Sequence, residues 1–116
     1  MNYETLEVWQ RSVDLSVSIY ELMKHSRDFG FKDQICRSSV SVPSNIAEGC
    51  ERIHLKEKIN FLSIAKGSLG ELKTQIIIGG RIGYIPLDRV EQLKSECETL
   101  SRMLGSLISH NKNRIN

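Results

Sequence analysis

The sequence predicts an all-α fold built from four helices, and three observations predict it. Apolar residues recur at helical spacing over most of the chain. No stretch alternates apolar and polar residues for long enough to form a strand. Leu, Ile, Glu, Lys and Ser dominate the composition, with only two prolines and 6% aromatic residues, which suits helices better than sheets. At 116 residues the chain is expected to form one domain, residues 1–116.

The first helix is predicted over about 5–25, with Thr5 as N-cap and Glu7 in the first turn. Leu6, Trp9, Val13, Tyr20 and Met23 form its apolar stripe, and Leu15, Ile19 and Leu22 widen it. After the loop SRDFGF a second helix is predicted over about 32–50, carried by Ile35, Val42 and Ile46 with Val40 beside them. Pro43 falls inside it. An internal proline removes a backbone donor and crowds the carbonyl four residues back, here Ser39, at a cost of about 3 kcal/mol. The helix is therefore expected to kink near Pro43. Either Ser41 restarts it as a new N-cap, or Ser39, Ser44 and Asn45 satisfy the groups freed at the bend. Gly49 closes it.

Leu55, Ile59, Leu62, Ala65, Leu69, Leu72 and Ile76 mark a long third helix over about 55–80, stopped by Gly79-Gly80 and Gly83. Pro86 suits the first turn of the fourth, over about 86–110. Val90, Leu93, Cys97, Leu100, Leu104 and Leu107 then recur at alternating steps of three and four. Helices one and three carry apolar residues over arcs wider than one bundle core uses, which argues for a subunit interface. Gly67 and Gly70, each costing about 1 kcal/mol relative to alanine inside a helix, are expected where a neighbouring helix or subunit comes close.

Charge and cysteine usage narrow the function. The formal net charge is +2, from 16 Lys and Arg against 14 Asp and Glu. The basic surplus lies in the C-terminal half and ends in His110, Lys112 and Arg114, read as a frayed, solvated tail. No apolar run is long enough to span a membrane, and the acidic, amphipathic start does not resemble a signal peptide. Cys36, Cys50 and Cys97 are odd in number and lack Cys-x-x-Cys spacing, so they are read as reduced thiols of a cytoplasmic protein.

Catalytic and cofactor readings find little support. Residues 38–49 hold one glycine and no lysine, against the several glycines and Gly-Lys-Ser/Thr ending of a phosphate loop. No serine sits in a Gly-x-Ser-x-Gly elbow. Glu51-x-x-His54 has the spacing of a di-iron ligand pair, but that site needs the motif twice plus two further glutamates, and here it occurs once. No catalytic residue, cofactor or metal is expected.

The run Trp9-Gln10, then Gln34-Ile35-Cys36-Arg37, then Ser41-Val42-Pro43-Ser44-Asn45-Ile46-Ala47-Glu48-Gly49 and Arg52, resembles the bacterial four-helix bundle family of 23S ribosomal RNA intervening-sequence proteins. The likeness continues through Glu57, then Phe61 to Leu72 (with Gly67, Ser68 and Glu71), and Gly83-Tyr84. It departs at His54, where serine is usual, and at Cys36-Arg37, where two successive basic residues are common. The resemblance implies an up-down antiparallel bundle, assembly as a homopentamer, association with ribosomal RNA, and kinship with the accessory proteins of diversity-generating retroelements.

On helix two, Gln34, Arg37, Ser41, Asn45, Glu48 and Arg52 form a continuous polar stripe. It is a solvated face, a network that sets bundle register or subunit pairing, or a ligand or RNA surface. The expected function is a non-catalytic oligomeric bundle associating with RNA or DNA; the alternative is a scaffold whose partner is protein alone. No stacking-aromatic signature of RNA recognition is present. Phosphate contacts would then fall to Arg37, Arg52, Lys56 and Lys58, near the junction of helices two and three where charge is densest.

Overall fold

The computed structural model describes residues 2–115. After a single 3-10 turn at Tyr3–Thr5 come four helices: α1 Glu7–Met23, α2 Phe29–Cys50, α3 Leu55–Arg81 and α4 Leu87–Ile115. Their connections are only a few residues long, so consecutive helices run antiparallel, up and down. The molecule measures 48 × 21 × 20 Å. At about 1.5 Å per residue α4 alone accounts for most of the long dimension. α3 packs along both α2 and α4, whereas the shorter α1 lies mainly on α2 and touches α4 lightly.

The core runs down the axis. Ile19, Ile35, Val42, Ile46, Leu62, Ala65, Leu72, Ile76, Leu100 and Leu104 have no accessible surface. The stripes predicted for α3 and α4 line it from Ile59 onward, except that Leu55 lies outside it and Ile108 rather than Leu107 is the buried residue near the end of α4. On α1 the buried line is Val8, Ser12, Leu15, Ser16, Ile19 and Met23. The predicted stripe of Leu6, Trp9, Val13 and Tyr20 lies beside it, and Tyr20 is 48% exposed. Two serines occupy core positions, and each finds a partner there. Ser12 Oγ donates to the Trp9 carbonyl at 2.8 Å, and Ser16 Oγ meets Ser39 Oγ across the α1–α2 contact at 3.1 Å. A pattern of apolar residues cannot register such positions.

Helix ends differ from expectation for identifiable reasons. Thr5 belongs to the 3-10 turn, where its hydroxyl donates to the Asn2 carbonyl, and Leu6 precedes α1 without a side-chain cap. α2 starts at Phe29 because Asp28 caps it, accepting from the Phe31 N–H at 3.1 Å. α2 then runs uninterrupted through Pro43, so no restart occurs at Ser41. The Asn45 amide does reach back, but to the Ser41 carbonyl (2.8 Å) and hydroxyl (3.0 Å), not to the Ser39 carbonyl that the proline deprives of its donor. The proline ring is buried.

Gly79 and Gly80 lie inside α3 rather than ending it. A Cβ on Gly79 would stand 2.8 Å from Ile85, and one on Gly80 would stand 2.6 Å from Val90, so both admit the chain folding back toward α4. The turn itself rests on Gly83, at φ +83°. α4 follows Pro86, whose carbonyl accepts from the N–H groups of Arg89 and Val90. It continues to Ile115, so the segment expected to fray is the last turn of a helix, anchored by the buried Asn111.

Candidate functional site

Of the polar stripe of α2, Ser41 and Asn45 lie half-buried toward α3, whereas Gln34, Arg37, Glu48 and Arg52 are exposed; Ser38, beside the stripe, also faces α3. Ser38 Oγ lies 2.6 Å from Glu71 Oε1, Ser41 Oγ lies 2.8 Å from Ser68 Oγ, and Asn45 extends this pair through its bonds to Ser41. Gly49 is buried against the start of α3; a Cβ there would stand 3.1 Å from both the Lys58 carbonyl oxygen and Phe61 Cβ. Ser68 and Glu71 thus meet hydroxyls of α2, Gly49 lies against α3, and Asn45 bonds within α2. Periodicity marked the stripe as polar but could not show its partners on α3, since pairing depends on helix crossing.

Gly67 and Gly70 do not follow. Nothing lies within 4 Å of a Cβ at either position, so the close helix approach expected there does not occur within the chain. They lie on an exposed part of α3, with Thr74 donating to the Gly70 carbonyl.

The four residues expected to meet phosphates fall into two places. Arg37 lies mid-helix, its Nε donating to Asp33 at 2.9 Å. Fifteen residues on, Arg52 is about 22 Å away along the axis at a helical rise, so the two do not form one cluster. Arg52 pairs with Glu48 one turn back, lies 3.9 Å from Glu57 Oε2, and stacks over the Phe61 ring at 4.8 Å. Its charge is therefore largely used within the chain. Lys56 and Lys58, in the first turn of α3, make no ion pair among the described residues. The up-down course of the helices brings His110, Lys112 and Arg114 to this same end. Neither Lys112 nor Arg114 forms an ion pair among the described residues, and both are exposed.

Several organising contacts had no sequence signal beyond the residue types themselves. Arg11 of α1 grips Glu96 of α4, with Nε at 3.0 Å from Oε2, and this pair raises the guanidinium pKa. Lys73 donates to Glu98 at 2.8 Å and holds that carboxyl below its ordinary range. At the other end Tyr84 donates to Asp28 Oδ2 at 2.8 Å and packs edge-on against Phe31. The Asp28 carboxyl, accepting from the Phe31 N–H and then from Tyr84, titrates below its usual value, and Tyr84 titrates above its own. Burial pushes the Cys97 thiol up to about 12 and raises those of Cys36 and Cys50. None of these thiols is poised as a nucleophile.

The surface has shallow concavities. An apolar groove of about 530 Å³ runs beside Ser16, Val17, Tyr20, Glu21, Lys24 and Lys32. A cleft of about 370 Å³ opens between α2 and α3 beside Gln34, Arg37, Ser38, Ser41, Glu71 and Gln75. Among the described residues no three His, Cys, Asp or Glu side chains converge to hold a metal ion, and no helix is long and apolar enough to cross a membrane.

The family model for the 23S rRNA-intervening sequence protein matches residues 4–106. Among solved structures the chain is similar to a protein of unknown function from the S23 ribosomal protein family of Bacteroides thetaiotaomicron VPI-5482. The two share 26% identity over 87% of this chain and 97% of that one, with a TM-score of 0.82. No curated protein matches.

Proposed function

Because the chain belongs to the 23S rRNA-intervening sequence protein family, we propose that it is a non-catalytic, oligomeric helical bundle that associates with nucleic acid or a ribonucleoprotein. The observation that supports this reading is the gathering of Lys56, Lys58, Lys112 and Arg114 at one end of the bundle without intramolecular ion pairs among the described residues. Among the described residues Glu4 and Glu51 are the side-chain carboxylates at that end without an ion pair, against four such cations. Closure of copies into a ring, five by family likeness, multiplies that charge at one rim.

With no base-reading element in the chain, binding energy comes from phosphate contacts and the release of counterions. Affinity for ribosomal RNA then tolerates changes of sequence and falls with salt by about 0.7–0.9 log unit per contact for each decade of salt. A mobility-shift titration of the intact protein tests this at several salt concentrations. Replacing Lys56 and Lys58 together by glutamine weakens the complex and flattens its salt dependence, with light scattering unchanged.

A second reading is a scaffold whose partner is protein alone. It draws on the apolar groove of α1, where Val17 is 51% exposed and Tyr20 nearly as much. It predicts no RNA complex across dissociation constants of about 1–100 μM at physiological salt, the usual range of non-specific binding.

A further inference from the structure

The end of the bundle opposite Lys56 and Lys58 holds large apolar side chains in water. Phe29, the first residue of α2, is 72% exposed; Leu87, the first of α4, is 73% exposed; Ile82, just past α3, is 52% exposed. None of the three is part of the core. The chain around them is pinned. Tyr84 donates to Asp28 Oδ2 at 2.8 Å, which ties the turn after α3 to the N-cap of α2. In the same turn Ile85 is buried against Gly79. Ile85 therefore faces inward, and Ile82 and Leu87 are left outside. The molecule is only 21 × 20 Å in cross-section, so the three apolar residues share one small surface. A single exposed apolar residue is ordinary, but a group of them at one end marks a surface that something covers.

Charge indicates what covers it. Within two residues of Phe29, Ile82 or Leu87 stand three arginines, Arg27, Arg81 and Arg89, against two carboxylates, Asp28 and Asp88. None of these five forms an ion pair among the described residues. Asp28 is already engaged, accepting from the Phe31 N–H and from Tyr84. Each apolar side chain thus has beside it a guanidinium without a carboxylate partner. A second copy of this end would bring like charge onto it. A layer that is acidic outside and apolar within matches on both counts: acyl chains take Phe29, Ile82 and Leu87, and headgroup phosphates take the arginines. We infer that this end docks on the surface of an anionic phospholipid bilayer. Among the described residues no helix is long and apolar enough to cross a membrane, so the contact lies at the surface and is reversible. The inference does not rest on nucleic-acid binding, which the proposed function puts at the other end.

The test is co-sedimentation of the intact protein with vesicles of equal parts phosphatidylglycerol and phosphatidylcholine, beside vesicles of phosphatidylcholine alone. Binding to the anionic vesicles should be at least about tenfold tighter and should weaken as salt is added. Replacing Phe29 and Leu87 together by glutamine changes exposed side chains only, so the fold should persist, as circular dichroism will verify. Vesicle binding by that variant should fall at least about tenfold, since the apolar contact is gone. Leu87→Trp reports orientation. Its added tryptophan should be quenched by brominated lipid, whereas Trp9, in the first turn of α1 at the other end, should not be quenched in the unaltered protein. No sedimentation with anionic vesicles overturns the proposal, as does binding that the Phe29 and Leu87 double variant leaves intact. Quenching of Trp9 overturns it too. So does a fall in the light-scattering mass of the double variant without vesicles, which would assign this end to contact between copies of the chain.

Discussion

Replacing Gly67 with alanine should stabilise this protein. Gly67 lies in the interior of α3, with at least a dozen helical residues on either side, where glycine costs about 0.8–1 kcal/mol relative to alanine through the backbone freedom it surrenders on folding. No atom lies within 4 Å of the added Cβ, so there is neither a clash to subtract nor a packing gain to add. The expected gain is therefore about 1 kcal/mol. For a domain of this size that is a rise of about 3–6 °C in Tm. In urea it is an upward shift of the midpoint by about 0.3–1 M at an unchanged m value. Gly70→Ala should behave alike, and because neither methyl meets a shared partner the two gains should add. Gly49→Ala is the matched contrast. Its Cβ would press on the backbone oxygen of Lys58 and on Phe61, so the same substitution should lose about 1–3 kcal/mol. The assay is urea unfolding followed at 222 nm for all three, with mass by light scattering. A loss of stability in Gly67→Ala would refute the argument and would mean that another chain covers that face of α3.

Other outcomes follow from the same structure. Leu69→Ala and Leu100→Ala remove side chains with almost no accessible surface and should each cost about 2–5 kcal/mol by denaturant unfolding; a negligible loss would put the residue outside the core. Tyr84→Phe should raise the Asp28 pKa toward its ordinary value in a carboxyl NMR titration. Because the folded pKa lies below the unfolded one, Asp28 contributes stability above the unfolded pKa that is lost as pH falls through the folded value, and the variant should lose it at higher pH. An unchanged titration would remove Tyr84 from the cause. Cys97, buried and with its thiol pushed up to about 12, should resist iodoacetamide at pH 8 until the protein unfolds; rapid labelling of the native state would contradict its packing. Light scattering should return a mass above the 13.2 kDa of one chain, and a stable monomer at micromolar concentration would end the oligomer proposal.

Residue spacing alone was enough to specify the helical class, the four segments and most of the core. Helical period is a local property, and on α3 and α4 every residue of the stripe from Leu62 to Ile76 and from Val90 to Leu104 points inward as the spacing requires. The polar character of the α2 stripe was legible for the same reason, whereas Arg52, read as a phosphate contact, pairs with Glu48 one turn back. Tertiary structure decided everything that depends on a partner from another helix. Ser12 and Ser16 sit on the buried line of α1, and Ser16 can do so because Ser39 stands opposite; no rule of spacing distinguishes a serine so matched from one in water. Glycine shows the same division. Gly49, Gly79 and Gly80 yield to neighbours that press on them, while Gly67 and Gly70 face open space, and one residue type carries both meanings. Charge followed the fold as well: Arg37 was set apart from Arg52 by the length of α2, and Lys112 and Arg114 were carried back beside Lys56 and Lys58 by the antiparallel return of α4. The physical reason is range. Backbone hydrogen bonds and side-chain periodicity act within about four residues, whereas the matching of surfaces acts between residues that only the folded chain brings together.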